Sequence, residues 1–110
     1  MVEYNASLDS IFLSLADSTR RDMLRLLKIY DRMSIGDIAL HYRLTFAAVS
    51  KHLKVLEHAN LIRKQKKGRQ QIVRLNASAF QSADTYLKQY EQLWQDRFDR
   101  LEALLKEGEI

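Results

Sequence analysis

Three consecutive residues, Ser50, Lys51 and His52, carry the side-chain types of a nucleophilic catalyst. A hydroxyl, an amine and an imidazole act together only when they converge on one reacting atom. The surrounding pattern predicts a helix, in which neighbouring side chains point about 100° apart and do not converge. With only three glycines, the chain also has no glycine-rich phosphate loop. We therefore predict that it is not an enzyme and that these side chains bind a partner.

The helix that carries them is predicted over residues 45–59, with Thr45 as its N-terminal cap. Apolar residues recur on one side at helical spacing and should face the core, namely Val49, Leu53, Leu56 and Ala59. Small polar and cationic residues on the other side can approach a DNA groove and reach base edges or phosphates. We predict base or phosphate contacts for Thr45, Ala47, Ser50, Lys51 and His52, and a phosphate contact for Lys54.

A basic hairpin is predicted next, with strands over residues 61–65 and 70–75 and Gly68 in a left-handed turn. No acidic residue lies between Glu57 and Asp84, whereas six lysines and arginines do. A tip this basic suits phosphates or a minor groove. The alternative is an exposed edge strand that its charge protects from aggregation. The residues predicted to contact DNA are Arg63, Lys66, Lys67 and Arg69.

Three more helices are predicted ahead of these elements. The first covers residues 8–15, the second covers 19–30, and the third begins at its cap Ser34 and ends at the turn of Arg43 and Leu44. The third helix, this turn and the helix over residues 45–59 form a helix-turn-helix. The second helix exposes Arg20, Arg21, Arg25 and Lys28, which form either a solvated face or a set of phosphate contacts.

A long last helix is predicted to run to about Glu107, after a cap at Asn76 or Ser78. Its apolar residues fall close to a seven-residue repeat, and a domain of 110 residues cannot cover them alone. A second subunit is the predicted cover, and packing against the first helix alone is the alternative. The predicted dimer interface comprises Leu8, Ile11, Phe12, Leu87, Tyr90, Trp94, Phe98 and Leu101.

Composition is typical of one soluble globular domain with a polyanionic partner. The 110 residues carry a net charge of +4, with 46% hydrophobic and 29% charged residues. No apolar run approaches the ~20 residues that span a bilayer, and the N-terminus does not resemble a signal peptide. We therefore expect a cytoplasmic protein. The absence of cysteine excludes disulfides and thiolate metal sites.

Several segments resemble the ArsR-type winged-helix transcriptional repressors. They are residues 15–21, 34–39, 48–56, 61–62 and 68–69. The resemblance implies a mainly α fold with a small β-hairpin: a winged helix-turn-helix of four helices, a two-stranded wing and a fifth helix. It also implies one domain over residues 1–110, which dimerises through the helices at about 8–15 and 77–107.

Two positions depart from the family pattern. Ser18 stands where a proline is common, and a serine can still cap a helix. Phe46 stands where a glutamine or similar polar residue is common. Its ring cannot donate a hydrogen bond to a base, so it either touches a thymine methyl or anchors the helix in the core. We favour partial burial of Phe46.

The hypothesis is a homodimeric repressor that binds an imperfect palindromic operator. Metal-responsive relatives use cysteines near the third helix or histidines on the last. This chain has Tyr30, Asp31 and Arg32 in the first region and no histidine in the second. We therefore expect no metal site, no cofactor and no transition-metal regulation, while an effector stays unknown. The alternatives are an architectural protein that binds DNA without sequence preference, and a winged helix that binds another protein.

Overall fold

The computed structural model describes residues 6–108. It contains α1 (Ala6–Leu15), α2 (Ser18–Tyr30), β1 (Arg32–Ser34), α3 (Ile35–Tyr42), α4 (Phe46–His58), β2 (Ile62–Lys67), β3 (Gln70–Leu75) and α5 (Ala77–Glu107). The five helices and the hairpin wing predicted from the sequence are confirmed. The described chain forms two compact units that divide after Phe80, within α5. None of the described helices is long and apolar enough to cross a membrane.

Three side-chain caps define where the inner helices begin. Asp17 Oδ2 accepts the backbone N–H of Arg20 at 3.0 Å and so caps α2. Ser34 Oγ and Thr45 Oγ1 each accept a backbone N–H three residues along the chain, at 3.1 Å, and cap α3 and α4. Each such cap satisfies one backbone donor that the first turn of a helix leaves without a partner, and is worth about 1 kcal/mol.

The turn between α3 and α4 depends on Arg43, which adopts the left-handed conformation with φ 54°. The backbone N–H of Leu44 then donates to the carbonyl of Ala39 at 3.1 Å and closes the end of α3. Thr45 begins the next helix immediately afterwards. Because only two residues lie between α3 and Thr45, the direction of α4 is set by this one turn.

The core of the first unit joins every helix up to α4 to the sheet. Fully buried side chains come from the inner faces that the helical spacing predicts and from the roots of β2 and β3. They include Met23, Leu26, Leu27, Ile38, Val49, Leu53, Leu56, Leu61, Ile62 and Val73. The inner side of α4 is therefore fixed in the core, and its other side is left for a partner.

The sheet has a third strand that the sequence did not predict. Its order is β1-β3-β2, with both pairs antiparallel. β1 is only three residues long and pairs Met33 with Val73. Three residues are too few to show the alternation that identifies a strand, and the partner of β1 is distant in sequence.

The arginines at the start of α2 bind the end of α1. Arg20 Nε donates to the carbonyl of Ser14 at 2.7 Å, and Arg21 NH1 donates to the carbonyl of Leu15 at 2.7 Å. These carbonyls end a helix and have no partner within it, so the guanidinium groups satisfy them. The sequence suggested either a solvated face or phosphate contacts for these arginines, and neither includes this role at the end of α1.

A hydrogen bond between Tyr42 and Asp22 joins α3 to α2. Tyr42 Oη donates to Asp22 Oδ2 at 2.6 Å, and Arg25 NH2 lies 2.9 Å from the other carboxylate oxygen. The Tyr42 hydroxyl and then Arg25 hold the pKa of Asp22 below its ordinary value. Burial, followed by the carboxylate, raises the pKa of Tyr42. The charged form of Asp22 is therefore the one that the fold stabilises.

We expect Tyr42→Phe to lower the free energy of unfolding by about 1 kcal/mol at neutral pH. Because the pKa of Asp22 is depressed, its contribution is present above the unfolded-state pKa and is lost as the pH falls through the folded-state pKa. The difference between the two proteins should therefore shrink at pH 3. Urea unfolding at pH 7 and pH 3 measures this, with Tyr30→Phe, at an exposed tyrosine on α2, as the control. An equal difference at both pH values would show that the Asp22 charge has no part.

Candidate nucleic-acid interface

The outer side of α4 presents the residues expected to contact DNA. Ala47, Lys51 and Lys54 are exposed there, and Ser50 is half-buried beside them. Val49, Leu53 and Leu56, on the opposite side, are fully buried. Thr45 is exposed at the N-terminal end, where its oxygen accepts the N–H of Ala48 and its hydroxyl proton stays available to a phosphate. Five of the six predicted residues of this helix therefore lie on one accessible surface.

The sixth residue, His52, lies away from this surface. Its Nδ1 is 3.7 Å from Asp17 Oδ2, the oxygen that caps α2. On a helix, residue 52 is rotated by about 140° from residue 47, which turns its ring toward α2. The Arg20 N–H, followed by the charges of Arg20 and His52, lowers the pKa of Asp17. We therefore leave His52 out of the proposed contact set.

Phe46 is exposed, so the partial burial favoured from the sequence is wrong. The side chain is 59% exposed and is the first residue of α4, beside Ala47. A capped first turn leaves this position outside the core, because the inner side of α4 begins at Val49. The ring is available for apolar contact, and a thymine methyl is the apolar group that DNA offers in the major groove.

The wing extends further than the sequence predicts. β2 continues to Lys67, which pairs with Gln70, so only Gly68 and Arg69 form the turn. Gly68 has φ 65° and nothing lies within 4 Å of where a Cβ would stand. The backbone conformation alone therefore requires glycine there. Lys66, Lys67 and Arg69 are all exposed at this tip.

Arg63 belongs to a different part of the sheet from the tip. It lies four residues before Lys67, which is about 13 Å along a strand. In register it faces Arg74, and Arg74 faces Arg32 on the other side. Like charges directly opposite one another destabilise a sheet. The Asp31 carboxylate, which lies 3.6 Å from the Arg74 guanidinium, counters this repulsion. The sequence alone does not indicate that Arg32, Arg74 and Arg63 lie side by side, because β1, which carries Arg32, was not predicted.

The lysines of α4 and the cations at the wing tip have no acidic partner among the described residues. Within residues 6–108, the ion pairs are formed by other residues, such as Lys64 with Glu57 at 3.5 Å. Unpaired ammonium and guanidinium groups are the donors that phosphates bind. No group of three histidines, aspartates or glutamates that could hold a metal occurs in this described part of the chain, and the absence of metal regulation stays a prediction.

The residues expected at a dimer interface fall into two groups. On α1, Leu8 and Phe12 are half-buried, while Ile11 is 2% exposed and belongs to the core. On α5, the second group is about half-exposed and consists of Leu87, Tyr90, Trp94, Phe98 and Leu101. These five form a continuous apolar side of the helix, and such a surface marks an interaction site.

Comparisons with known proteins agree with this architecture. Residues 17–64 match the family model described as bacterial regulatory protein, arsR family. The transcriptional repressor SdpR of Bacillus subtilis (strain 168) is 34% identical over 80 residues, covering 73% of this chain and 88% of SdpR. A crystal structure of an ArsR family transcriptional regulator matches with TM-score 0.74 and 28% identity, over 86% of this chain and 97% of that one.

A solution structure from Mycobacterium bovis, described as a homodimeric winged helix-turn-helix DNA-binding domain, has the same fold. It matches with TM-score 0.62 and 20% identity, over 84% of this chain and 94% of that one. The helix-turn-helix, the wing and the similarity to SdpR lead to one conclusion. The chain belongs to the arsR family of bacterial regulatory proteins, and it is a DNA-binding transcriptional regulator rather than an enzyme.

Proposed function

We propose that the chain is a homodimeric repressor that binds an imperfect palindromic operator. The observation that carries this proposal is the outer side of α4, where Ser50, Lys51 and Lys54 lie together and neither lysine has an acidic partner within residues 6–108. In a two-fold dimer, two such helices would enter successive major grooves about 34 Å apart. SdpR, which is described as a transcriptional repressor, supports repression as the outcome of binding. The proposed site of action is the cytoplasm.

The contacts follow from where each side chain lies. Ala47, Ser50 and Lys51 are the proposed base-reading positions, with Phe46 beside them for a thymine methyl. Thr45 and Lys54 would contact phosphates, as would Lys66, Lys67 and Arg69 at the wing tip. Arg63 would contact the backbone from the root of the wing. The whole chain would then act as one DNA-binding domain.

The apolar side of α5 supports dimerisation, together with Leu8 and Phe12 of α1. Eight large apolar residues of α5 are about half-exposed or more, which is far more than a monomeric helix in water carries. The related domain from Mycobacterium bovis is described as homodimeric. Two copies that cover one another's apolar residues would account for the pattern.

Selection of bound fragments from the host genome at physiological salt tests the proposed function. We expect the bound fragments to share a two-fold sequence, with a half-site spacing near one helical turn and an affinity at least about 10³ above that for unrelated DNA. Equal affinity for all fragments would indicate an architectural protein. Affinity for DNA that is weak and insensitive to salt would indicate a protein-binding winged helix.

Lys67→Ala is expected to weaken binding to operator and to unrelated DNA by similar factors, because a phosphate contact carries no sequence information. The slope of log affinity against log salt should become shallower by about 1 for each wing, and so by about 2 for the dimer. Fluorescence anisotropy at several salt concentrations measures both quantities. Lys88→Ala is the matched control, since Lys88 lies on α5 and pairs with Asp84 at 3.1 Å. An unchanged slope in Lys67→Ala would remove the wing tip from the interface.

A further inference from the structure

A mostly apolar groove lies between α1 and α4, at the edge of the proposed DNA-binding surface. It has a volume of about 430 Å³ and is lined by Ser10, Leu13, Lys51, Lys54, Val55 and His58. Leu13 is 70% exposed and Val55 is 41% exposed, so apolar surface is open to water there. Grooves of 300–1,000 Å³ with apolar walls and a few polar groups are typical of small-molecule sites.

The two kinds of lining residue define the ligand that fits. Leu13 and Val55 offer only apolar contact, to which the methylene chains of the two lysines add. Lys51 and Lys54 each carry an ammonium group, which donates hydrogen bonds and cannot accept them. Neither ammonium group has a carboxylate within 4.0 Å in the described part of the chain. A complementary ligand therefore has an apolar body and an anionic head.

DNA is chemically complementary only to the cationic part of this groove. Phosphates would satisfy Lys51 and Lys54, but a phosphate backbone offers no apolar group to Leu13, which lies on α1 rather than on the reading helix. A small apolar carboxylate would be complementary both to the apolar residues and to the ammonium groups. It would also occupy the ammonium groups that the proposed function assigns to DNA. Ligand and DNA would then exclude one another without any change of fold.

We propose that this groove binds a small apolar carboxylate, such as a medium-chain fatty acid, and that the bound ligand releases DNA by direct competition for Lys51 and Lys54. The competition between ligand and DNA rests on the proposed function. The binding of the ligand to the groove does not depend on it. For mutually exclusive ligands, the apparent dissociation constant for DNA rises by a factor of one plus the ligand concentration over its own dissociation constant. Decanoate at ten times that constant should weaken DNA binding about elevenfold for each subunit that must release its ligand.

Decanoate, kept below its micelle concentration, is the probe. Its binding is first measured without DNA, by two-dimensional NMR titration of the full chain, with decanol as the uncharged comparator. We expect saturable binding of decanoate, with shifts at Leu13 and Val55, and binding of decanol about tenfold weaker or more, since an ion pair in an apolar groove is worth at least about 1.4 kcal/mol. Equal binding of the two compounds would refute the anionic part of the proposal.

Leu13→Gln is the test variant and Ile29→Gln the matched control, because Leu13 and Ile29 are both exposed apolar residues and only Leu13 lines the groove. Leu13→Gln should bind decanoate about tenfold more weakly, retain DNA affinity in the absence of ligand, and resist release by decanoate. Ile29→Gln should behave like the unmodified chain in all three respects. Decanoate that binds both variants equally, or that binds without weakening the DNA complex, would overturn the proposal.

Sedimentation of the same samples separates the remaining outcomes. The proposal expects the same oligomeric state with and without decanoate and in Leu13→Gln. Decanoate binding only to a monomer would mean that a second copy of the chain fills the groove, which contradicts the proposal. A chain that binds decanoate at Leu13 but never binds DNA would refute the proposed function and the regulatory step, and would leave the ligand site established.

Discussion

Replacing Trp94 with glutamate is expected to convert the dimer to monomers and to reduce operator affinity by at least about 100-fold. The second half-site of a dimer binds as an intramolecular event, and that linkage alone is worth about 10² to 10⁴ in affinity. A monomer keeps its own helix-turn-helix and wing but loses the linkage. Contacts of one half-site should therefore survive, while affinity for the full operator collapses.

Trp94 is the residue of choice because it lies at the middle of the apolar side of α5. Its ring is 53% exposed, stands 6.2 Å from the ring of Phe98, and has the Arg97 guanidinium 5.5 Å from its centroid. Aromatic and arginine side chains that lie centrally in an interface dominate binding energies. A carboxylate introduced there would lose solvation in the dimer and keep it in the monomer, so it favours the monomer.

The spacing of the apolar residues on α5 gives this interface its geometry. Ala83, Trp94 and Leu105 are eleven residues apart, as are Leu87 and Phe98. Eleven residues make just over three turns of a straight helix, so this repeat favours a slight right-handed supercoil, whereas a strict seven-residue repeat imposes a left-handed one. Because the drift is only about 20° per eleven residues, the side chains of this set stay on one side along α5. We expect two such helices to pack with little left-handed twist.

Sedimentation equilibrium and anisotropy on an operator fragment measure the two effects. Gln92→Glu is the matched control, because it introduces the same charge two residues away on the polar side of α5, about 160° around the helix. It should stay dimeric and bind the operator normally. A Trp94→Glu chain that remained dimeric, or a monomeric one that bound the full operator as tightly as before, would contradict the proposed assembly.

The parts of the structure that local patterns govern were predictable. Helical spacing of apolar residues located the five helices, and the short polar residues Ser34 and Thr45 located two of their starts. Gly68 located the tip of the wing, since a left-handed turn there needs no information from elsewhere in the chain. The surface of α4 followed as well, because Val49, Leu53 and Leu56 had to be buried.

The parts that depend on distant contacts were not predictable. β1 exists only because β3 pairs with it, and without β1 the row of Arg32, Arg74 and Arg63 cannot be recognised. His52 was grouped with Ser50 and Lys51 by adjacency, but Asp17, thirty-five residues earlier, lies beside it. The groove between α1 and α4 could not be predicted either, since Leu13 and Val55 come together only through the packing of two helices.

Replacing Lys51 with alanine is expected to weaken operator binding by about 1–3 kcal/mol per half-site, or roughly 5- to 150-fold for each subunit, and binding to unrelated DNA much less. Lys51 is exposed on the same side of α4 as Ala47, about one turn further along the helix. In a recognition helix, residues near the N-terminus reach base edges. An ammonium group that donates to a guanine of the operator has no such partner on unrelated DNA. Removing it therefore lowers the affinity for the operator more than the affinity for unrelated DNA.

The decisive comparison is between Lys51 and Lys54, two lysines of the same helix that have no acidic partner in the part of the chain that the structure describes. Lys54→Ala should weaken operator and unrelated DNA by the same factor and flatten the salt dependence, as a phosphate contact does. Lys51→Ala should instead narrow the ratio between the two affinities. Anisotropy titrations on both DNAs at fixed salt give that ratio. If Lys51→Ala left the ratio unchanged, α4 would contact the backbone rather than the bases, and sequence recognition would have to come from elsewhere in the chain.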